Sequence, residues 1–141
     1  MSKDRITDLS EEDETWLRRA EEHILKIVRG KYGVNKFNRS RDDLLPLQRL
    51  IDDHEVTAKD VLETQCIGVV LGNVFAENTS MQWKRVENEY GDMISLHDEG
   101  IHFTLCPLTM ISKRLEDRRE IALIALYEDF IQSLHLKNNE G

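Results

Sequence analysis

Hydrophobic and polar positions alternate with a period of two only between Met81 and Pro107. Two apolar-rich runs, 93–98 and 101–106, flank Glu99-Gly100, and pairing Asp98 with Ile101 would separate apolar from polar side chains. One face would then hold Ile94, Leu96, Phe103 and Leu105, and the other Ser95, His97, His102 and Thr104. Gly100 would supply the positive φ of a tight turn. With a preceding strand at 81–87, the pattern predicts a three-stranded antiparallel meander.

Before this stretch, apolar positions recur at spacings of three and four, which predicts three helices. The first follows a capping box at Ser10–Asp13 and ends near Gly30 and Gly33. A short second helix covers 44–51, with Pro46 in its first turn because a proline there loses no helical hydrogen bond. The third opens at 57–60 with a similar cap.

The third helix is apolar nearly all round between Cys66 and Phe75, which is typical of a central, buried helix. Gly68 and Gly72 lie one turn apart, so we expect a neighbouring element to approach closely there. The alternative is a phosphate-binding loop. It is disfavoured, because no Lys-Ser/Thr follows the glycines.

The chain after the meander predicts more helix, beginning at Pro107, with a final helix from Ile121 to about Leu136. Whether 107–136 forms one bent helix or two stays open. A basic cluster lies in this tract, formed by Lys113, Arg114, Arg118 and Arg119. We predict one α+β domain over 1–141, with the C-terminal helices packed on one face of the sheet and with 1–9 and 137–141 frayed.

Composition excludes several classes of protein. The net charge of −8 argues against binding nucleic acid, because the phosphate backbone would be repelled. No apolar run approaches the ~18 residues of a membrane span, and the acidic first residues do not fit a signal peptide, so we expect a cytoplasmic protein. Cys66 and Cys106 lie far apart in apolar runs, which favours two buried, reduced thiols.

Candidate chemistry is sparse. His97 and His102 would face each other on the hairpin, but a zinc site needs further ligands that neither strand supplies, so two exposed histidines are the favoured interpretation. No nucleophile elbow is present and neither cysteine has a reactive setting. We therefore expect no metal, no cofactor and no catalytic residue, and an enzyme is disfavoured although not excluded.

A binding role has more support. Trp83 is more often core in such a strand, yet on an open face it would be an interface anchor. The candidate interface residues are Trp83, Arg85, Tyr90, His97, His102, Lys113 and Arg114.

Four segments spread from about Trp16 to Phe130 match a known pattern in order and spacing. They are the Trp16/Ala20 helix ending at Tyr32-Gly33, Leu71-Gly72-Asn73-Val74, the Trp83 strand leading to Glu89-Tyr90-Gly91, and Pro107…Met110…Lys113-Arg114. Together they resemble an uncharacterised bacterial family of small α+β proteins, a domain of unknown function. The resemblance implies that fold and a bacterial origin, and it brings no catalytic residues.

These observations favour a small acidic protein-binding module, for example an immunity protein or antitoxin that covers the basic site of a toxin. The alternative is a small-molecule or metal-dependent activity in a pocket near His97, His102 and the Lys113-Arg114 tract. The oligomeric state stays open.

Overall fold

A computed structural model describes residues 4–117 and 120–140, with side chains described up to Leu136. The α+β class is confirmed: within these residues five α-helices accompany one four-stranded antiparallel sheet. In chain order the elements are β1 (Arg5–Thr7), α1 (Glu11–Tyr32), a 3-10 turn (Arg41–Asp43), α2 (Leu44–Asp52), α3 (Val61–Asn78), β2 (Gln82–Asn88), β3 (Gly91–Asp98), β4 (Phe103–Leu105), α4 (Pro107–Glu116) and α5 (Leu123–Glu140).

The prediction of three strands was wrong, because β1 adds a fourth at the edge of the sheet. The strand order is β1-β2-β3-β4, and Ile6 lies opposite Val86 in the β1–β2 pair. Residues 5–7 therefore belong to the sheet rather than to a frayed terminus. Three residues are too few to show an alternating pattern, and β1 is recognisable only through the edge of β2 with which it pairs.

The predicted register of the β3–β4 hairpin was wrong by two residues. Leu96 lies opposite Leu105 and His97 opposite Thr104, so the connection comprises residues 99–102. His102, with φ of 51°, takes the left-handed conformation that we expected of Gly100. The backbone N–H of Gly100 instead donates to Asp98 Oδ1 at 2.9 Å. Because the shift is even, the apolar and polar faces of the strands stay as predicted.

The central position of α3 is confirmed, and so is the close approach at its two glycines. A Cβ added at Gly68 would lie 2.2 Å from the Pro107 carbonyl oxygen, and one added at Gly72 would lie 2.3 Å from the Trp83 indole. Such distances leave no room for a methyl group. The glycines therefore allow the start of α4 and strand β2 to contact α3 directly.

The helix termini follow the predicted signals in part. Ser10 and Asp13 form the capping box of α1, and the helix ends at Tyr32 with Gly33 in the left-handed conformation (φ 73°). Gly30 lies inside the helix rather than at its end. The predicted cap of α3 was wrong: Asp60 accepts from the backbone N–H of Thr57 at 2.8 Å, which closes a turn before the helix.

Two separate helices follow the sheet, which answers the question left open for 107–136. The helix α4 begins at Pro107 and packs on α3 and β3. The helix α5 packs on α2 and α3, where Tyr127 and Phe130 contact Phe75 at ring-centroid distances of 5.0 and 5.7 Å. The prediction that both helices pack on one face of the sheet therefore holds only for α4.

Candidate functional site

A shallow groove of about 410 Å³ lies where the start of α1 meets β2, β3 and the start of α4. Its floor is apolar and its rim is acidic, and we call it the acidic groove. The floor is formed by Trp16, Met93, Ile94 and Leu108, and the acids of the rim are Glu12, Asp13 and Asp92. Trp16 is half-buried, and Met93 is 37% exposed. Trp16 and Met93 are therefore accessible to a partner, whereas Ile94 and Leu108 are buried.

Arg85 connects the two sides of the groove. Its guanidinium donates to both carboxylate oxygens of Asp13, at 2.5 and 3.1 Å, and to Asp92 Oδ1 at 2.9 Å. A bidentate arginine–carboxylate contact is among the stronger hydrogen-bonding arrangements in proteins. Arg85 therefore fixes the start of α1 against β2 and β3.

Asp13 carries two structural roles at once. At the third position of α1 its Oδ2 accepts from the Ser10 backbone N–H at 3.1 Å, while the Ser10 hydroxyl accepts from the Asp13 N–H. Asp13 is only 8% exposed, yet the hydrogen bonds from Arg85, aided by those from Ser10, lower its pKa from 3.8 to about 2. The carboxylate is thus ionised at neutral pH. The same contacts with Asp13 and Asp92 raise the pKa of Arg85 above its usual range.

Beyond the groove, the β2–β3 hairpin ends in an exposed aromatic residue. Asn88 lies opposite Gly91, so the turn consists of Glu89 and Tyr90, and the Tyr90 N–H donates to Asn88 Oδ1 at 2.9 Å. Tyr90 is 88% exposed. Glu89 is exposed beside it, and Asp92 follows two residues later. We call Glu89 and Tyr90 the acidic tip.

The structure separates the other predicted interface residues. Trp83 is half-buried and lies against Gly72, and its indole N–H donates to Asn73 Oδ1 at 2.9 Å. His97 is 9% exposed and its Nδ1 lies 2.8 Å from Thr104 Oγ1, while His102 is exposed in the turn.

The predicted facing pair of exposed histidines was therefore wrong. Because the connection comprises four residues, His102 lies in it, just before the first paired residue of β4. Among the residues that the structure describes, no group of three or more His, Cys, Asp and Glu could hold a metal ion.

Lys113 and Tyr90 line a neighbouring cavity of about 330 Å³, which shares Asp92 and Met93 with the acidic groove and which neither histidine lines. Arg114 donates to the Met110 carbonyl at 3.3 Å, and the predicted cluster members Arg118 and Arg119 lie outside the described residues. Cys106 also lines this cavity and is half-buried, 2.9 Å from Ser95 Oγ, so the prediction that it is buried was wrong. Cys66 is buried as predicted, and burial raises the pKa of its thiol to about 11.

Several groove residues were absent from the sequence-based candidates: Glu12, Trp16, Asp92 and Met93. Glu12 and Trp16 are four residues apart and share one side of α1, which is a signal in the sequence. Nothing in the sequence shows that Asp92 and Met93 lie opposite them, because that juxtaposition depends on how α1 crosses the sheet.

A family model described as a domain of unknown function (DUF3806) matches residues 43–127, more than half of the chain. The chain belongs to this family. The predicted resemblance to an uncharacterised family is therefore confirmed. The family match covers β2, β3 and the start of α4, which form one side of the acidic groove, while α1 lies before it. No curated protein matches the chain.

A crystal structure at 1.50 Å resolution, of a protein from Bacteroides thetaiotaomicron VPI-5482, is similar to this chain. The TM-score is 0.79 at 16% sequence identity, and the similarity covers 91% of this chain and 47% of that one. The two proteins share a fold, and this chain spans about half the length of its neighbour. In the described part of this chain, no helix combines the length and apolarity that crossing a membrane would need.

Proposed function

We propose that this protein is a small acidic protein-binding module, which engages a basic surface of a partner protein through the acidic groove and the acidic tip. The observation that supports this most is the accessible floor of Trp16 and Met93 inside an acidic rim. Aromatic residues and methionine are enriched in protein interfaces, and charged residues are typical of their rims. Tyr90 would add an aromatic anchor beside the groove.

Charge supports a basic partner. The chain has a net charge of −8, and Glu12 in the rim and Glu89 in the tip are exposed, whereas Asp13 and Asp92 are paired with Arg85. Complementary potentials mainly raise the association rate and select against wrong partners. We therefore expect the acidic rim to raise the association rate and the apolar floor to slow the dissociation of the partner.

In its most concrete form the module is a bacterial cytoplasmic immunity protein or antitoxin that covers the basic active site of a toxin. Its small size and negative charge favour this form. The alternative activity near the hairpin has weaker support, since His97 is buried against Thr104 and His102 lies in the turn, so the two do not converge on one pocket.

Two charge-reversed variants test the proposal. Glu12→Lys/Glu89→Lys alters the groove and the tip, and Glu77→Lys/Asp129→Lys makes the same change in charge at exposed positions on α3 and α5. Tagged wild type would capture its partner from a lysate of the native host. The partner would then be purified and its association rate measured at about 0.05 and 0.5 M salt.

We expect the groove variant to associate at least about tenfold more slowly, the control to behave as wild type, and the wild-type rate to fall with salt. Equal slowing in both variants, or association independent of salt, would overturn the proposal. A basic partner with ribonuclease, nuclease or other toxic activity, inhibited by wild type, would support the immunity form; inhibition of no activity would overturn that form.

A further inference from the structure

A second cleft, of about 580 Å³, lies on another face of α1, between that helix, β2 and the loop that follows α1. Its wall on α1 is formed by Glu14, Leu17, Arg18 and Glu21, which recur at spacings of three and four and so share one face. Glu12 and Trp16 of the acidic groove lie on a different face. We call this space the polar cleft.

A buried hydrogen-bonded chain forms the base of the polar cleft. Asn73 is a polar residue in the otherwise apolar middle of α3, and it is buried. The Trp83 indole N–H donates to Asn73 Oδ1 at 2.9 Å, and Asn73 Nδ2 donates to Glu21 Oε2. Because the indole nitrogen can only donate, this contact fixes which end of the amide faces Glu21. The amide NH2 of Asn73 therefore orients the Glu21 carboxylate.

Arg39 closes the cleft from the loop in a strained backbone conformation. Its φ is 63°, in the left-handed region that non-glycine residues rarely adopt. Asp43 accepts from the Arg39 backbone N–H at 2.7 Å, and Asn78 donates to the Arg39 carbonyl at 3.1 Å. These contacts hold the strained residue so that its guanidinium lies 3.6 Å from Glu21 Oε2.

The charged residues that line the cleft indicate a class of ligand. Lys84 and Asp8 form an ion pair of 2.6 Å at the edge of the cleft. Arg39 is paired with Glu21 at 3.6 Å, and Arg18 and Glu14 lie one turn apart on α1, so two arginines and two acids line the cleft beside the apolar residues Leu17 and Trp83. A phosphate would be repelled by Glu14 and Glu21, and a simple cation by Arg18 and Arg39. A molecule carrying both charges would meet neither repulsion.

We propose that the polar cleft binds a zwitterionic ligand of the amino-acid class, a free amino acid or a short peptide with an apolar body. Arg18 and Arg39 bind its carboxylate, Glu14 and Glu21 bind its ammonium group, and the apolar body lies on Leu17 and Trp83. The volume of the cleft, about 580 Å³, lies within the range of small-ligand sites. This site is separate from the acidic groove, so the inference does not depend on the proposed function.

Tryptophan fluorescence can report binding. The chain has two tryptophans, and Trp16→Phe leaves Trp83 at the cleft as the only one. In that background, leucine, phenylalanine and trileucine would be titrated, together with trileucine that is N-acetylated or C-amidated. We expect saturable changes with a Kd on the order of 0.1–10 mM for at least one free ligand, and at least about tenfold weaker binding after either modification.

Matched variants locate the site. Arg18→Gln should weaken binding of the free ligand at least about tenfold, whereas Arg19→Gln, at the neighbouring exposed position outside the cleft, should leave it unchanged. Glu14→Gln should weaken binding of free trileucine but not of its N-acetylated form, a difference that no general loss of structure would produce. Circular dichroism would confirm that each variant is folded.

Three results would overturn the proposal: no saturable change with any ligand up to about 50 mM, well above the expected Kd, equal affinity for free and modified trileucine, or equal weakening by Arg18→Gln and Arg19→Gln.

Discussion

Two residues on the same face of β2 contact the helices in different ways. Trp83 fits against α3 only because Gly72 has no side chain. Arg85, two residues later, reaches α1 through charged hydrogen bonds to Asp13. The first contact depends on shape and the second on charge. A single methyl group would therefore disrupt the first, whereas a change of pH would disrupt only the second.

The contact of Trp83 with Gly72 holds the fold together, whereas the contact of Arg85 with Asp13 also shapes an exposed surface. The contacts at Gly68 and Gly72 depend on close packing against α3, so substitution of these glycines should first of all lower stability. The contacts around Asp13 are also structural, but they keep three acids and an apolar floor together at the surface. The predictions that follow probe the two regions, from the largest expected effect on stability to the smallest.

Gly68→Ala should have the largest effect. The new Cβ would lie 2.2 Å from the Pro107 carbonyl oxygen, a backbone atom that cannot move without shifting α4. We expect the free energy of unfolding to fall by about 3 kcal/mol or more, since overpacking outweighs the gain of about 1 kcal/mol in helix propensity. Gly72→Leu, against the Trp83 indole, should be as severe. Urea unfolding measures both.

Gly30→Ala is the matched control, because Gly30 lies in α1 and an added Cβ would meet nothing within 4 Å. We expect it to stabilise the protein by about 0.5–1 kcal/mol. If Gly68→Ala also stabilised the protein, the close approach of α4 to α3 would be incorrect.

Asp13→Ala should have the next largest effect. It removes the capping box of α1 and leaves Arg85 with Asp92 as its remaining acidic partner. We expect a loss of about 2–3 kcal/mol in the free energy of unfolding, from the cap and the charged hydrogen bonds together. Glu14→Ala, in the same turn but exposed, should cost only a few tenths of a kcal/mol. Similar melting temperatures for the two variants would contradict the role of the Asp13–Arg85 contact.

The same contact should depend on pH. The pKa of Asp13 falls from 3.8 to about 2 on folding, so its contribution is complete above about pH 4 and is lost as the pH falls toward 2. Because the pKa is nearly two units lower in the folded state, the contact of Asp13 contributes about 2 kcal/mol to the free energy of unfolding. We expect the stability difference between wild type and Asp13→Asn to shrink across that range. A difference that stays constant from about pH 6 to 2 would show that Asp13 is not the titrating group.

Tyr90→Ala should have the smallest effect on stability, within about 0.5 kcal/mol, because the side chain is 88% exposed. If the acidic tip anchors a partner, the same change should raise the dissociation constant at least about tenfold. Met93→Ala, in the floor of the groove, should also weaken the complex. A Tyr90 variant with unchanged affinity would exclude the tip from the interface while leaving the groove itself to be tested by Met93→Ala.

Local signals in the sequence determined much of the fold. Ser10 and Asp13 predicted the start of α1, Pro107 the start of α4, and the two glycines of α3 a close approach, each through an interaction within a few residues or through the absence of a side chain. The period of two predicted correctly which residues share a face of the paired strands, except for His102, which lies in the turn, even though the register differed by two residues. An even shift leaves the side chains on the same faces, so periodicity cannot detect it.

The tertiary structure alone decided which elements meet. The strand β1 is too short to carry a pattern and exists through its pairing with β2. The Arg85 clamp, the floor of Trp16 and Met93, and the chain from Trp83 through Asn73 to Glu21 join residues from separate elements. Spacing along a chain reports neighbours on one helix or strand. Contacts between elements depend on how those elements cross, and the sequence encodes this only through the packing of the whole domain.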